Sequence, residues 1–180
     1  MTNDDEEKVL VLLVQSGDMA AFEKLLLRLY EPLRQYVMKV VGVSMAEDVL
    51  QETALRVFQN IKHLRETKAF RPWVFRIATR IAFVQLSKEK RWRASKTDPK
   101  TLADLLPLPS MNWDELDSES LNMIEHLSPA SRAVLLLHYQ QNLSIEETAA
   151  ILDIPVGTAK SRLAYGIAKL RDFIKEGKSR

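Results

Sequence analysis

Residues 144–171 read SIEETAAILDIPVGTAKSRLAYGIAKLR. Ser144-Ile145-Glu146-Glu147 has the capping-box pattern, in which a serine hydroxyl accepts from a free backbone N–H and a glutamate three residues on reaches back. Behind this cap Ile145, Ala149 and Leu152 share one helical face, and the small Ala149 and Ala150 permit a close helix contact. Asp153-Ile154-Pro155 reads as a tight turn, and Val156-Gly157-Thr158 starts a second helix carrying Lys160, Ser161, Arg162, Tyr165 and Lys169. Short helix, short turn and cationic helix together make a helix-turn-helix. The second helix of that motif lies in the DNA major groove, its N-terminal residues facing base edges. Thr158, Lys160, Ser161 and Arg162 are therefore the readout candidates. Lys169 and Arg171 lie further along, where phosphate contacts position the protein without specifying sequence. A plain helical hairpin with a solvated basic face is the alternative, and the convergence of cap, small residues, turn and cations in one stretch counts against it.

Upstream of this motif the chain is helical as well. Glycine is scarce, at five residues in 180, and apolar residues recur at spacings of three and four. Val9 to Gln15 reads as a short helix closed by Gly17, with Asp18 able to cap the next. From Phe22 the residues Leu25, Leu26, Leu29, Leu33, Tyr36, Val37 and Val40 keep one face up to Gly42, and Pro32 is expected to break or kink that helix near Tyr30. Ser44-Met45-Ala46-Glu47 matches a capping box, opening a helix from Met45 to about Ile61. Pro72 suits a first turn and opens a helix reaching about Arg91. From Ser95 to about Ser120, Pro99, Pro107 and Pro109 mark a linker, although Leu102, Leu105, Leu106, Leu108 and Trp113 could dock against something. Helices resume at Leu121, with Ser128-Pro129 as a further cap. The expectation is an all-α chain of two small helical domains, 1–94 and 121–180, joined by an acidic linker, 95–120.

Composition narrows the function classes. At 46% hydrophobic and 28% charged, the chain suits a packed core rather than disorder. It has no cysteine, which excludes disulfides and thiolate metal sites. His63, His126 and His138 show no ligand spacing, and no cofactor is expected. The acidic N-terminus is unlike a signal peptide. No apolar run approaches the roughly 20 residues of a membrane span, so no membrane insertion and a cytoplasmic location are expected. Net charge is only +2, yet it is unevenly placed. Lys88, Lys90, Arg91, Arg93 and Lys96 form one basic block and Lys160 to Arg180 another, separated by Asp98, Asp104, Asp114, Glu115, Asp117, Glu119 and Glu125. That pattern suggests two anion-binding units.

Two stripes stand out in the first half. On the helix from Met45, Asp48, Gln51, Glu52, Leu55 and Gln59 oppose the apolar set. Acids near a helix start are favoured by its dipole, so this reads first as a solvated face, with Leu55 a weak hint of a partner. On the helix from Pro72, Trp73, Arg76, Arg80, Phe83, Ser87, Lys90 and Arg91 interleave aromatics with cations. Unpaired bases stack on such rings while cations follow phosphates; alternatively Trp73 and Phe83 belong to the core.

Taken together, Ala46-Glu47-Asp48-Val49-Leu50-Gln51-Glu52, Trp73-Val74-Phe75-Arg76-Ile77-Ala78, Leu127-Ser128-Pro129 and Pro155-Val156-Gly157-Thr158-Ala159-Lys160-Ser161-Arg162-Leu163 resemble the extracytoplasmic-function sigma factors of the sigma-70 family. The resemblance covers nearly the whole chain in order and spacing. It implies a region 2 bundle up to about Arg93, a region 4 helix-turn-helix from Leu121, and core RNA polymerase, promoter DNA and an anti-sigma factor as partners. It further implies that Asp48, Gln51 and Glu52 dock on the β′ clamp helices and that region 4 meets the β flap. The segment His63 to Phe70, with Leu64, Arg65 and Lys68, would accept a flipped base of the −10 element, whose unstacking costs a few kcal/mol. Arg76, Arg80, Phe83, Lys90 and Arg91 would hold the same strand, and the helix from Val156, including Tyr165 and Lys169, would read the −35 element. The acidic linker is similar to family linkers that thread the polymerase's RNA path. Two positions depart from the family pattern, where Arg80 stands for the usual Asn and Val84 for the usual Asp.

Three other readings compete. A free-standing regulator would share the helix-turn-helix but needs a ligand or dimer domain, of which no signature stands out. A sigma mimic that occupies an anti-sigma factor should have lost its DNA-facing cations, yet Arg76, Lys90, Arg91, Lys160 and Arg162 remain. For an enzyme, no nucleophile–base pair, metal cluster or phosphate loop stands out.

Overall fold

The computed structural model describes the backbone of residues 3–88 and 124–177. The expected linker, Lys90, Arg91 and the helix start at Leu121 lie outside the described residues. In chain order the helices are α1 (Asn3–Gln15), α2 (Met19–Val41), α3 (Val43–Asn60), α4 (Phe70–Lys88), α5 (Pro129–Leu135), α6 (Ile145–Leu152) and α7 (Val156–Gly177). Short 3₁₀ turns at Ile61–His63 and Thr67–Ala69 link α3 to α4. α5 runs on as a wider turn over Leu136–Gln140, closed by the Gln141 N–H on the Leu136 carbonyl at 3.1 Å.

Helices α1 to α4 form the first lobe. Its core joins Leu25, Tyr36 and Val37 of α2 to Val49 of α3 and Phe70 and Phe75 of α4, all at most 2% exposed. At its centre the Tyr36 hydroxyl meets Thr79 Oγ1 at 2.7 Å. Thr79 spends its own hydrogen on the Phe75 carbonyl, so Tyr36 is the donor. In the second lobe α5 packs on α7 through Leu135, Leu163 and Ile167. Gly166 permits the approach, because a Cβ there would stand 3.1 Å from Leu135 Cδ1. The buried residues of both lobes form one continuous cluster, with α5 lying on α2 and α6 on α4.

Four expectations about local structure change. α1 begins at Asn3 rather than near Val9. α2 runs unbroken through Pro32. An interior proline costs about 3 kcal/mol, but nine residues of α2 are buried, and each large apolar one contributes about 1.5–3 kcal/mol. The capping box at Ser44 does not form. Gly42, at φ +86°, ends α2 and turns the chain in one residue, so α3 starts at Val43 and Ser44 falls inside its first turn; Glu47 accepts from Gln51 Nε2 instead. α4 begins at Phe70, two residues before Pro72, which still lies in the first turn, where its missing N–H has no helical acceptor.

Candidate nucleic-acid and polymerase interfaces

The helix-turn-helix is built by local chemistry. Ser144 Oγ accepts from the Glu147 N–H at 3.1 Å, and the Ser144 N–H returns a bond to Glu147 Oε2 at 2.8 Å. α6 ends at Asp153, whose φ of 58° and ψ of 46° put it in the left-handed region, a conformation Asp tolerates. The Ile154 N–H then closes on the Ala149 carbonyl at 3.1 Å. Ala149 is buried under this turn, and Ala159 and Leu163 anchor α7. Thr158, Lys160, Ser161, Arg162 and Tyr165 are half-buried and Lys169 is exposed. Ser161 donates its hydroxyl hydrogen to the Gly157 carbonyl at 2.8 Å, leaving its oxygen to accept.

On α3, Asp48 and Gln51 are exposed and Glu52 half-buried. Glu52 binds Arg56 one turn on at 2.6 Å. Leu55, Phe58 and, on α2, Tyr30 are 44–51% exposed. Beside them an apolar cleft of about 150 Å³ opens between α2 and α3, lined by Leu26, Tyr30, Leu50, Gln51 and Ala54. On its other flank α3 shares a groove with α4, where Asp48, Glu52 and Arg56 face Arg80, Val84 and Lys88.

The segment after α3 is braced from α1. Gln15 Nε2 donates to the carbonyls of Ile61 at 3.0 Å and Leu64 at 2.7 Å, and Glu7 pairs with Arg71 at 2.8 Å. This leaves His63, Arg65 and Lys68 exposed and Leu64 leaning on the core. Phe70 departs from the expectation: it is wholly buried, with its ring 6.3 Å from that of Trp73. As the first residue of α4 its ring faces inward, so it forms a floor beneath the segment and offers no face to a base. Along α4 the expected stripe divides by chemistry. Arg80 and Ser87 are exposed and Arg76 half-buried, while Trp73 and Phe83 lean on the core.

Sequence reasoning missed the residues between the lobes. Asp153 lies 3.8 Å from Arg76 and 3.4 Å from Arg80. Arg132 of α5 donates from Nη1 to the carbonyls of Lys39 (2.8 Å) and Val40 (3.1 Å), at the end of α2. From Nη2 it donates to those of Glu125 (2.6 Å) and Leu127 (2.9 Å). Burial lowers the Arg132 pKa, partly offset by the charge of Glu125; a guanidinium nevertheless keeps its proton at any ordinary pH. Burial likewise lowers that of Lys39. Gln140 donates to Gln35 at 3.0 Å. The partners joined across the lobes stand 73 to 105 residues apart, and no periodicity in sequence announces such pairs.

Comparison with known proteins gives this arrangement a family. The Sigma-70 region 2 family matches residues 25–92 and the Sigma-70, region 4 family residues 120–170. The chain is 30% identical over 175 residues to the ECF RNA polymerase sigma factor SigW of Bacillus subtilis, covering 91% of this chain and 94% of the relative. It is 30% identical over 174 residues to the ECF RNA polymerase sigma-E factor of Escherichia coli K12, covering 91% of each. Among solved structures, CnrH in complex with the cytosolic domain of CnrY matches with a TM-score of 0.68 at 20% identity, over 95% of this chain and 98% of that one. RpoE in complex with the anti-sigma factor NepR from Bartonella quintana matches with a TM-score of 0.67 at 22% identity, over 86% and 96%. With two helical lobes in this order and relatives matched almost end to end, the chain belongs to the extracytoplasmic-function RNA polymerase sigma factors.

Proposed function

We propose that this sigma factor divides its work between two units, 1–94 and 121–180: the first holds core polymerase and the −10 element, the second reads the −35 element. The observation that carries the reading is the helix-turn-helix, with Lys160 and Arg162 in the first two turns of α7 and Lys169 beyond them. Arg162 or Lys160 pairing with guanine O6 and N7 would give roughly 1–3 kcal/mol of discrimination per good pair, with Thr158, Ser161 and Tyr165 completing the contact. Asp48, Gln51 and Glu52 line the α3 face offered to the β′ clamp helices, and the exposed Leu55 adds apolar area beside them. Region 4 would also touch the β flap. The braced segment with His63, Leu64, Arg65 and Lys68 suits capture of an extruded base, and Arg76, Arg80, Phe83 and the cations Lys90 and Arg91 suit the strand that carries it.

The −35 contact is duplex readout and the −10 contact single-strand capture, with polymerase fixing their separation and raising the effective concentration of the second contact. The polymerase performs the chemistry. One of the structural neighbours was solved with an anti-sigma factor, NepR, which supports control of this chain by a partner of that kind. Charge reversal separates the roles. Arg162→Glu should abolish promoter-specific transcripts while polymerase binding persists, and Asp48→Arg should weaken polymerase binding itself. Equal loss of polymerase binding in both variants would defeat the division.

A further inference from the structure

The segment assigned to the extruded −10 base has no long helix of its own, and its path is set by α1. Both of its 3₁₀ turns, Ile61–His63 and Thr67–Ala69, pack against that helix. The buried Val11 and Val14 seat α1 on the lobe core, and Gln15 follows them at its end, half-buried. Gln15 Nε2 carries two hydrogens. It gives one to the Ile61 carbonyl at 3.0 Å and the other to the Leu64 carbonyl at 2.7 Å. Those carbonyls bracket the first turn, which the Leu64 N–H closes on the same Ile61 oxygen at 3.1 Å. Past the other end of the segment, Arg71 Nε donates to Glu7 Oε2 at 2.8 Å, and the Glu7 side chain is only 13% exposed. Glu7 and Gln15 lie about 12 Å apart along α1, so one helix holds the segment at both ends.

We propose that Gln15 and Glu7 are positioning residues for −10 recognition, fixing the curve of the backbone that keeps His63, Arg65 and Lys68 exposed for the captured base. The proposal rests on the assignment of this segment to the −10 element and deepens it by naming what gives the segment its shape. Extruding a base from the stack already costs free energy. A segment that also had to order itself on binding would lose affinity. It would lose selectivity too, because a loose backbone adapts to any base. A brace formed within the free chain removes that ordering cost. The chemistry also accounts for the residue type. Two carbonyl oxygens need donors, which the glutamine amide supplies and a carboxylate or an apolar side chain does not.

The test compares the full-length parent, Gln15→Glu and Gln15→Leu, each with core polymerase. Gln15→Glu keeps the size and turns the donor into an acceptor, while Gln15→Leu removes both bonds without adding charge, so one serves if the other fails to fold. Templates carry a promoter that the parent uses, with single-base changes placed in its −10 element or, separately, in its −35 element. The expected result is that both variants bind polymerase as the parent does and keep its −35 preference, while their preference among −10 bases narrows by roughly threefold or more. A −10 preference equal to the parent's would overturn the proposal. So would an equal loss on every template, because a merely structural role for α1 lowers activity without changing the ratio between templates. Silence of the parent itself would remove the sigma-factor reading, a pattern distinct from failure of the brace. Glu7→Gln removes the charge of the Arg71 pair at the far end and should narrow the −10 preference in the same direction by less. An unchanged preference there would remove Glu7 from the brace.

Discussion

Replacing Arg132 with methionine perturbs the junction at its most heavily bonded point. The guanidinium makes four hydrogen bonds, two to the end of α2 and two to the backbone around Glu125 and Leu127. A hydrogen bond to a charged group contributes about 1.5–3 kcal/mol. The four do not add, because water rehydrates carbonyls at an opened helix end and methionine recovers apolar contact without a buried charge to desolvate. Counting one bond's worth for each carbonyl pair and subtracting that relief leaves about 2–4 kcal/mol. Urea unfolding of the whole chain, followed by far-UV circular dichroism, is the assay. With a slope of about 2 kcal/mol per molar urea, the midpoint should fall by about 1–2 M. Arg132→Lys should fall in between, since an ammonium lacks the planar fork that serves both carbonyl pairs. A methionine variant within about 0.5 kcal/mol of the parent, the range of ordinary surface substitutions, would refute the view that this side chain clamps the lobes.

Two further outcomes follow from individual groups. Burial raises the Tyr36 hydroxyl above its ordinary value, outweighing the opposing pull of its bond to Thr79; the folded state therefore holds this proton more tightly than the unfolded chain. Its stabilisation is complete below the unfolded value of about 10 and declines above it at up to about 1.4 kcal/mol per pH unit, until the folded value is reached. Tyr36→Phe should flatten the alkaline limb of a stability–pH curve by that amount, and an unchanged limb would contradict the assignment. At the helix-turn-helix, Ser144→Ala removes the hydroxyl that accepts from the Glu147 N–H. It should cost about 1 kcal/mol by thermal or urea unfolding, and Glu147→Ala made on top should cost less than it does alone. Additive losses would mean that the two side chains act independently.

The features legible in the sequence are those whose causes lie within about four residues. Asp18 caps α2 through the Ala21 N–H, and Ser128 caps α5 through the Ser131 N–H. The box at Ser144 forms as read, and the helix, turn and helix follow it. Ser44 shows how a correct pattern is overruled: Gly42 supplies a tighter turn than a cap requires, so the helix starts before the serine can serve. Pro32 shows tertiary burial outweighing a local breaker. Phe70 falls in the segment that the family resemblance assigns to a flipped base, yet α4 starts at Phe70, two residues before Pro72, and the ring is wholly buried. The lobe junction was illegible for a different reason. Arg132, Asp153 and Gln15 act on partners 46 or more residues away, and nothing in their own neighbourhoods marks them.

The decisive measurement is multi-template transcription in vitro, with fragmented DNA from the source organism and bacterial core polymerase, in the presence and absence of this chain. Transcripts that arise only with the chain and share upstream −35 and −10 elements are the predicted result, and their alignment would give the promoter sequence it reads. No such transcripts from folded protein, while the same polymerase initiates with another sigma factor, would contradict the account and favour a free-standing regulator or a sigma mimic.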